Sequence, residues 1–393
     1  MKHIVIVGGG FAGVRLARKL KNKKETNVTL INDSPDFRYY PALYRAATGY
    51  KMGTARLPIE WMLLDASDVD LVVGHADSID ENKKKITLNN GDLIDYDYAV
   101  LALGSVTTYF NIEGVHEHSF GIKSVNEIIE LRQHLHQKIS SKESIESNYV
   151  IIGAGATGVE LASALGGYLK RISRKHKFKN HKISIWLVEA APRVMPQMSE
   201  HASKIVLKRL KKLGVNVQLN TVVEKETLHT LKTSTGTIKT HTVIWTAGTT
   251  VNDFYSKQGD TFNFDKRRKV IVNKRLQASE KVYVIGDNAS LSSGLALGAI
   301  QHANFVSKDI LRRINNKKRL HFKVRKPIQV VPLGNNWAIL QYGKLVLSGR
   351  LIGYIRKIAD FMGYADIMGP IRALTIWTNG DKSEDQCRIC HTK

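Results

Sequence analysis

Cysteine is scarce in this chain and confined to its end. The 393 residues include two cysteines, Cys387 and Cys390. A single pair three positions apart excludes a disulfide framework for a chain of this length. Such sparing use of cysteine is typical of proteins in a reducing compartment.

Long apolar runs are also missing. No stretch approaches the roughly 18 to 20 consecutive apolar residues that a transmembrane helix requires. The apolar run at residues 4–7 begins at once, so we expect no signal peptide or transit segment before it. The length is sufficient for two or three domains with sizeable cores.

Acidic residues are few relative to basic ones. There are 35 Asp and Glu against 59 Lys and Arg, which gives a formal net charge of +24. A charge of this size implies an anionic partner: a membrane surface, a nucleic acid or an acidic protein. No nucleic-acid-binding motif accompanies the charge, so we expect no nucleic acid partner.

The basic charge is concentrated in two runs, which we call the first and second basic runs. Residues 161–188 contain no acid, and Asp309 is the only acid in the second run. Solvated loops and helix faces are one interpretation. The other is an electrostatic footprint for anionic lipid, worth about 1 kcal/mol per basic residue. The first run comprises Lys170, Arg171, Arg174, Lys175, Lys177, Lys179 and Lys182, and the second comprises Lys308, Arg312, Arg313, Lys317, Lys318, Arg319, Lys323, Arg325 and Lys326.

Two glycine-rich segments each follow a short apolar run. Both have the spacing G-x-G-x-x-G, which between a strand and a helix is typical of a dinucleotide site. The first glycine permits the tight turn, the second lets the backbone approach the pyrophosphate, and the third packs the helix against the strand. The helix N-terminus then faces the phosphates. The segments are Gly8, Gly9, Gly10, Phe11, Ala12, Gly13 and Gly153, Ala154, Gly155, Ala156, Thr157, Gly158.

One such motif also occurs in turns that bind no ligand. Two in one chain indicate a protein that holds two dinucleotides face to face, which is the layout needed to pass a hydride between nicotinamide and flavin.

The residues that end the second strand of each unit test this interpretation. A ribose-binding carboxylate is expected there, about 20 residues past the glycines. Glu189 closes the run 183–188 and no Arg follows it directly, which favours NAD over NADP. In the first unit Asn32 takes this place and Asp33 comes one residue later. We expect Asn32 to bond a ribose hydroxyl.

The order of strand-like and helix-like segments predicts an α/β fold with two Rossmann-like dinucleotide-binding domains. The run 282–285, which ends at Gly286 and Asp287, indicates a return to the first sheet, so the second domain is inserted within the first. We predict a first FAD-type part at 1–112, a connecting segment at 113–147, a NAD-type domain at 148–248, a second FAD-type part at 249–326 and a C-terminal region at 327–393.

The C-terminal region has amphipathic helical patterns. Residues 332–347 predict two short strands around Asn335 and Asn336. Two apolar sets follow at helical spacing, and Gly369 and Pro370 interrupt the second of them. Such helices often complete a core or a homodimer interface, but the aromatic residues and basic flanks favour a membrane-docking segment. The sets are Leu351, Ile355, Ile358, Met362 and Ile367, Ile371, Leu374, Trp377.

These residues resemble the type II NADH dehydrogenases, the single-subunit, non-pumping NADH:quinone oxidoreductases. The resemblance extends from Met1 to about Thr378. It is carried by residues 8–13, Pro41-Ala42-Leu43-Tyr44, Ala46-Ala47-Thr48-Gly49, Gly155-Ala156-Thr157-Gly158-Val159-Glu160-Leu161-Ala162, Val188-Glu189-Ala190-Ala191-Pro192-Arg193-Val194, Gly286-Asp287 and Leu345-Val346-Leu347-Ser348-Gly349.

The resemblance implies FAD in the first domain and NADH in the second. Asp287 would bind the flavin ribityl chain, and Gly104 and Gly248 would border the FAD and NAD pockets. Glu160 would lie beside the nicotinamide as a catalytic residue. The alternative is a first-turn helix carboxylate favoured by the helix dipole.

The family's quinone motif, Ala-Gln-x-Ala-x-Gln, is only partly kept. Residues 296–301 read Ala-Leu-Gly-Ala-Ile-Gln, so Leu297 replaces the first glutamine and Gln301 is the second. Gln301 would line the acceptor side of the flavin as the second catalytic residue, or else cap a helix.

The redox cysteine pair of related disulfide reductases is absent, which argues against dithiol chemistry by that route. Sulfide:quinone oxidoreductases need internal cysteines, which this chain also lacks.

The ending Cys387-Arg388-Ile389-Cys390-His391 matches the c-type haem attachment pattern. Haem attachment requires export, and a zinc site would need another ligand, so we expect neither metal nor haem. A relay dithiol or an incidental pair remain as interpretations.

The implied function is hydride transfer from NADH to FAD, then two-electron reduction of a membrane quinone. We expect a peripheral membrane protein on the cytoplasmic face of the inner membrane. The alternatives are an NADH-dependent reductase of a protein electron carrier and a redox-signalling flavoprotein similar to apoptosis-inducing factor.

Overall fold

Strands occupy the apolar runs of the sequence. The computed structural model describes residues 1–66, 68–140, 146–176, 182–326, 328–380, 382 and 384. Runs of Val, Ile and Leu form strands because branched side chains pack well on a pleated surface. The strands are β1 (Lys2–Val7), β2 (Thr26–Asn32), β3 (Asp36–Arg38), β4 (Arg56–Pro58), β5 (Val69–Val73), β6 (Ala76–Asp80), β7 (Lys85–Leu88), β8 (Leu93–Asp95), β9 (Tyr98–Leu101), β10 (Val106–Thr107), β11 (Glu146–Ile152), β12 (Lys182–Val188), β13 (Val215–Gln218), β14 (Val223–Glu226), β15 (Thr230–Thr233), β16 (Gly236–Lys239), β17 (Thr242–Trp245), β18 (Thr249–Thr250), β19 (Val282–Val284), β20 (Ile328–Pro332), β21 (Ala338–Tyr342) and β22 (Leu345–Gly349).

Helices follow the strands, and local capping fixes several of their starts. The Ser199 hydroxyl accepts a hydrogen bond from the Ala202 amide at 3.3 Å, as a helix N-cap does. The helices are α1 (Phe11–Leu20), α2 (Tyr40–Ala47), α3 (Glu60–Leu63), α4 (Val115–His118), α5 (Val125–Ser140), α6 (Ala156–Lys175), α7 (Glu200–Lys212), α8 (Asp253–Ser256), α9 (Ala296–Ile314), α10 (Arg350–Met368) and α11 (Pro370–Asn379).

The first sheet is parallel, with the strand order β19-β9-β1-β2-β5. Its central strand is buried from Ile4 to Val7, because helices and loops cover both faces of a parallel sheet. The strand β19 joins this sheet beside β9, although 180 residues lie between the two strands in the chain. The predicted insertion of the second unit within the first is therefore confirmed.

The second sheet repeats the arrangement with the parallel order β13-β12-β11-β17. Its β11 is buried at Val150, Ile151 and Ile152. Between the two units, β10 and β18 pair as an antiparallel two-stranded ribbon, in which Val106 lies opposite Thr250. This ribbon joins the two sheets at the carboxyl ends of β9 and β17.

A buried polar network fixes α9 against the first sheet. The carboxylate of Asp309 on α9 is fully buried and accepts hydrogen bonds from the Tyr283 hydroxyl at 2.8 Å and from the Arg319 Nε at 3.0 Å. The Arg319 guanidinium also donates to the Gln277 Oε1 at 3.1 Å. Because Tyr283 lies on β19, the network holds α9 and the strand that leads into Asp287 in one geometry.

The C-terminal region differs from the prediction in two respects. Three antiparallel strands form where two were expected, because 345–349 adds β22 to the hairpin around Asn336. In addition, α10 continues to Met368, so Ile367 belongs to the first helix and is fully buried rather than amphipathic surface. The left-handed Gly369 (φ 85°) and Pro370 separate the helices, so they divide the second apolar set of the sequence between α10 and α11.

No helix in the described part of the chain has the length and apolarity that crossing a membrane requires. The basic residues Lys177 and Lys179 and the tail motif with Cys387, Cys390 and His391 lie outside the described residues. The second basic run lies mostly at the end of α9 and in the exposed segment after it.

We predict that Asp309→Ala destabilises the folded protein by about 3 kcal/mol, because it leaves the Arg319 guanidinium and the Tyr283 hydroxyl without their acceptor. Asp95→Ala, which removes an exposed pair with Lys85 (3.0 Å), should cost less than about 1 kcal/mol. Urea unfolding of both variants measures the difference. Equal losses would contradict the structural role assigned to Asp309.

Candidate functional site

The first glycine turn joins β1 to α1. The amide of Gly8 donates to the carbonyl of Ile31 on β2 at 2.8 Å, and Gly8 has a φ of 108° that favours glycine. A Cβ on Gly13 would lie 1.8 Å from the Gly8 carbonyl oxygen, so the helix packs against the turn only with glycine there. A Cβ on Gly10 would meet nothing within 4 Å, because it would point into open space.

The second glycine turn has the same geometry. The Gly153 amide donates to the Val188 carbonyl at 2.8 Å, and its φ is 97°. A Cβ on Gly158 would lie 1.8 Å from the Gly153 carbonyl oxygen, whereas one on Gly155 would meet nothing within 4 Å. The cradle beside Gly155 is therefore shaped like the one beside Gly10.

Asn32 and Glu189 occupy equivalent positions at the two turns. The Asn32 Oδ1 accepts from the Gly9 amide at 2.7 Å, and the Glu189 Oε2 accepts from the Ala154 amide at 2.6 Å. The Asn32 Nδ2 also donates to the Ser34 carbonyl at 2.7 Å. Each polar atom of the Asn32 amide thus has one protein partner, and each can make a further hydrogen bond.

Asp33, the next residue, is more exposed than Asn32. Its side chain is about half exposed (51%) and pairs with Arg38 at 3.2 Å. Both Asp33 and Arg38 line the large cavity described next. The other carboxylate oxygen of Glu189, Oε1, accepts a hydrogen bond from the Ala191 amide at 2.8 Å.

A cavity of about 320 Å³, the large cavity, lies at the carboxyl ends of the strands of the first sheet. It reaches from Asp33 after β2 to Thr157 of the second turn, so residues of both dinucleotide units line one space. Predicted site residues in its lining are Gly8, Gly10, Phe11, Ala12, Asn32, Asp33, Gly104, Thr157 and Asp287; those outside the lining are Gly13, Pro41, Gly153, Gly155, Gly158, Glu160, Glu189, Gly248 and Gln301.

Asp287 enters this cavity from a tight turn after β19. Gly286 has a φ of 75°, and its amide donates to the Nδ1 of His302 on α9 at 3.2 Å. The neighbouring Asn288 side chain donates to the Gly104 carbonyl at 2.8 Å. Glycine turns after β9 and β19 thus hold each other in place around the cavity.

Glu160 lies in the second unit, on α6, and outside the large cavity. Burial raises the pKa of its carboxyl to about 8; the Arg356 guanidinium opposes the shift and the Asp360 carboxylate adds to it. Arg356 and Asp360 form an ion pair within α10, between side chains only 13% and 12% exposed. They line a second cavity of about 260 Å³, together with Tyr44, Arg45, Tyr50, Ala164, Pro332, Gly334, Asn335, Asn336, Trp337, Gly353 and Lys357.

Pro41 and Gln301 do not line the large cavity, although residues close to them in the chain do. Pro41 lies in the first turn of α2, next to Tyr40, which lines the cavity. Gln301 lies within α9, and its helix neighbour Ala299 lines the cavity. The alternative that Gln301 caps a helix is wrong, because the residue at the N-cap is Leu295.

Sequence reasoning missed Lys123. This residue lines the large cavity, and its Nζ is buried without a hydrogen-bond partner among the described residues. The signal was present as a capping box, Ser124-Val125-Asn126-Glu127, which predicts a helix start directly after Lys123. Nothing in the local sequence indicated that the ammonium faces the site.

The residues of the large cavity fit a flavin dinucleotide. Space for a pyrophosphate lies beside Gly10, at the N-terminus of α1, where backbone amides and the helix dipole favour anions. Lys123 brings a buried ammonium that has no hydrogen-bond partner in the described chain. Polar side chains line an otherwise apolar space, as dinucleotide sites require.

Two parallel sheets, each headed by a glycine turn and sharing one cavity, define the class of two-dinucleotide oxidoreductases. The family model of the pyridine nucleotide-disulphide oxidoreductases matches residues 2–303, and the chain belongs to this family.

Similar proteins extend the comparison over nearly the whole chain. A Staphylococcus aureus protein (strain NCTC 8325 / PS 47), "Type II NADH:quinone oxidoreductase", is 28% identical over 385 residues, which cover 91% of this chain and 94% of the relative. The structure of NDH2 from Plasmodium falciparum in complex with NADH superposes with a TM-score of 0.85 at 16% identity, covering 96% and 97% of the two chains. The sulfide:quinone oxidoreductase of Aquifex aeolicus gives 0.79 at 18% identity, covering 99% and 98%.

The structural likenesses concern the fold, and they confirm the predicted α/β architecture of two dinucleotide-binding units. The resemblance to the type II NADH dehydrogenases, which the motifs indicated, is confirmed as well.

We predict a pH-dependent effect of Glu160→Gln on stability. The pKa of the Glu160 carboxyl is about 8 in the folded protein, against 4.5 for an ordinary glutamate. Between these two pH values the folded protein keeps a proton on Glu160 that the unfolded chain releases. Wild-type stability is therefore lost as pH rises through this window, whereas the Gln variant lacks that loss. The melting temperature of the variant relative to wild type should increase by on the order of 2–4 °C from pH 5 to pH 8.5.

Glu130→Gln, at an exposed position of α5, is the control and should show no such trend. A constant difference for Glu160→Gln across the pH range would contradict the buried, protonated state of Glu160.

Proposed function

We propose that the protein is an FAD-containing NADH:quinone oxidoreductase that does not pump protons. The observation that carries the proposal is the large cavity, in which the first glycine turn and Thr157 of the second turn line one continuous space. A flavin held there would present its ring to a nicotinamide bound at the second turn. The family membership and the name of the Staphylococcus aureus relative support this proposal.

The residues of the first unit would hold the flavin dinucleotide. The amides at the start of α1 would bind the pyrophosphate beside Gly10, Asp33 would bind the adenosine ribose, and Asp287 the ribityl chain. Gly104 would let the backbone approach the ring. When bound, the flavin supplies hydride acceptance from NADH and two-electron transfer to a quinone.

The residues of the second unit would hold NADH. Pyrophosphate would lie beside Gly155, at the start of α6, and Gly248 would border the same pocket. Glu189 would face the 2′-hydroxyl of the ribose, and its carboxylate would repel a 2′-phosphate, so NADH is preferred over NADPH. We propose that the domains end at residues 112, 147, 248 and 326, as the sequence predicts.

Glu160 and Gln301 would act on opposite sides of the flavin. Glu160, close to the nicotinamide, would hold a proton near neutral pH on its carboxyl oxygen, because burial raises its pKa to about 8. Gln301 would orient the quinone from α9, and Leu297, which is 40% exposed, replaces the other glutamine of the family motif. The quinone head group would therefore be held by fewer side-chain hydrogen bonds.

We predict opposite outcomes for valine at the two open cradles. Gly10→Val and Gly155→Val should both fold, because their backbone angles are allowed for any residue and the added side chain meets no protein atom at its Cβ. Gly10→Val should be purified without flavin. Gly155→Val should keep its flavin, while reduction by NADH slows by about two orders of magnitude or more.

Flavin absorbance and stopped-flow bleaching by NADH measure both effects, and each variant is the control for the other. Folded variants that lose flavin to the same extent would show that the two sites are assigned wrongly.

The C-terminal helices would dock the enzyme on a membrane. One face of the pair is in the core, through Ile352, Tyr364, Ile367 and Ala373, yet the opposite face is also apolar. Helices that are apolar on both faces need a second partner. This docking surface comprises Leu351 (72% exposed), Tyr354, Ile355, Ile358, Met362, Ile371 (84%), Leu374 and Trp377, with Trp61 and Leu64 beside it on the α3 segment.

Anionic lipid on the cytoplasmic face of the inner membrane would suit the net charge of +24. A lipid-soluble quinone would then reach the flavin without a membrane-spanning segment. A homodimer through the same helices is the competing occupant of this surface.

We predict that the triple variant Leu351→Glu, Ile358→Glu, Ile371→Glu binds anionic vesicles at least about tenfold more weakly, because each change removes apolar burial and adds repulsion. Truncation at Gly349 is unsuitable, since it would also remove the buried Tyr364 and Ile367. Turnover with a long-chain quinone should fall more than turnover with a soluble analogue. High salt should weaken wild-type docking only in part.

The matched control is Val222→Glu, Leu228→Glu, Ile271→Glu, at apolar positions that are also exposed (51%, 64% and 49%) but lie outside the C-terminal helices. Vesicle sedimentation measures all three proteins. Wild-type protein that stays in the supernatant at low salt would refute docking and favour a protein electron acceptor.

A further inference from the structure

The segment that carries Lys123 lies at the junction of the two dinucleotide units. The Phe120 amide donates to the Val243 carbonyl at 2.8 Å, and the Trp245 amide donates to the Phe120 carbonyl at 2.8 Å. Residues 119–121 therefore run beside β17, in parallel with it. Thr249, shortly after β17, and Lys123 both line the large cavity. Lys123 thus reaches the cavity from the side of the inserted unit.

A capping box fixes the backbone at Lys123. The Glu127 Oε2 accepts hydrogen bonds from the amides of Lys123 at 2.5 Å and Ser124 at 3.0 Å, and the Glu127 amide donates to the Ser124 hydroxyl at 3.2 Å. A Cβ on Gly121 would lie 2.5 Å from the Glu127 Cδ, so the loop closes tightly over this carboxylate. Glu127 is therefore engaged by backbone amides and makes no hydrogen bond to the Lys123 ammonium in the described chain.

The ammonium itself is buried without a hydrogen-bond partner among the described residues. Burial lowers the pKa of Lys123, while the carboxylates of Glu127 and Asp287 raise it in part. A buried cation without a hydrogen-bonded partner costs several kcal/mol, and it is retained where an anion compensates it. The cavity that Lys123 lines is the place from which such an anion can come.

We propose that Lys123 is the counter-ion of the flavin dinucleotide, with its ammonium bound to negative charge that the cofactor brings into the large cavity. The inference rests on the flavin site of the proposed function and adds a residue to it. Two parts of the cofactor carry such charge. The pyrophosphate is negative in both redox states, whereas the ring becomes negative only when it has accepted a hydride without a proton.

The test compares Lys123→Met with wild type, both as apoprotein and with FAD. Because the Met side chain removes a buried, unpaired charge, the apoprotein of the variant should melt at the same temperature as wild type or higher. The rise in melting temperature on adding FAD should be smaller, and the FAD dissociation constant should increase at least about tenfold. Lys123→Arg should restore most of the affinity, since it keeps the charge.

Lys269→Met is the matched control. Lys269 is also partly buried, and the Asp287 carboxylate acts on its pKa as on that of Lys123, but it does not line the cavity. Its removal should leave FAD affinity unchanged. A purely structural Lys123 would instead lower the melting temperature of apoprotein and FAD complex alike.

The midpoint potential of the bound flavin separates the two parts of the cofactor. Weaker FAD binding with an unchanged potential would assign Lys123 to the pyrophosphate. A more negative potential in Lys123→Met would assign it to the ring. Unchanged affinity and potential in Lys123→Met would overturn the inference, while wild-type apoprotein that binds no FAD would overturn the proposed function itself.

Discussion

The close contact between each glycine turn and its helix is the constraint on which the rest of the structure depends. At both turns the Cα of the third glycine packs against the carbonyl of the first, where a Cβ would lie 1.8 Å from the oxygen. This contact fixes where α1 and α6 begin. Their first amides therefore point at the space beside Gly10 and Gly155, and Gly10 and Thr157 line one cavity.

The duplicated architecture could be predicted from sequence because its signals are local. A turn that requires glycine at φ 108° and 97° leaves a short motif, and the buried parallel strands leave continuous apolar runs. Gly286 and Asp287 indicated the return to the first sheet for the same reason, since the run before them ends in another glycine turn. The spacing of Asn32 and Glu189 from their glycines also predicted that the two residues are equivalent. It did not predict the hydrogen bonds that the Asn32 side chain makes to Gly9 and Ser34.

The remaining features arise from contacts between distant segments. The pKa of the Glu160 carboxyl is raised by burial, and the charges of Arg356 and Asp360, nearly 200 residues further along the chain on α10, act on it in opposite directions. Ile367 is in the core because α10 continues past Met362 and packs on the first unit. The ammonium of Lys123 faces the cavity because residue 120 pairs with β17. No short motif encodes these contacts.

The central claim is that one chain holds FAD and NADH close enough for hydride transfer and then passes the electrons to a quinone. Anaerobic titration of the purified protein tests it most directly. We expect a bound-flavin spectrum that one equivalent of NADH bleaches, that NADPH bleaches far less readily, and that a quinone restores. A protein without flavin, or a bleached flavin that quinone does not reoxidise, would contradict the account.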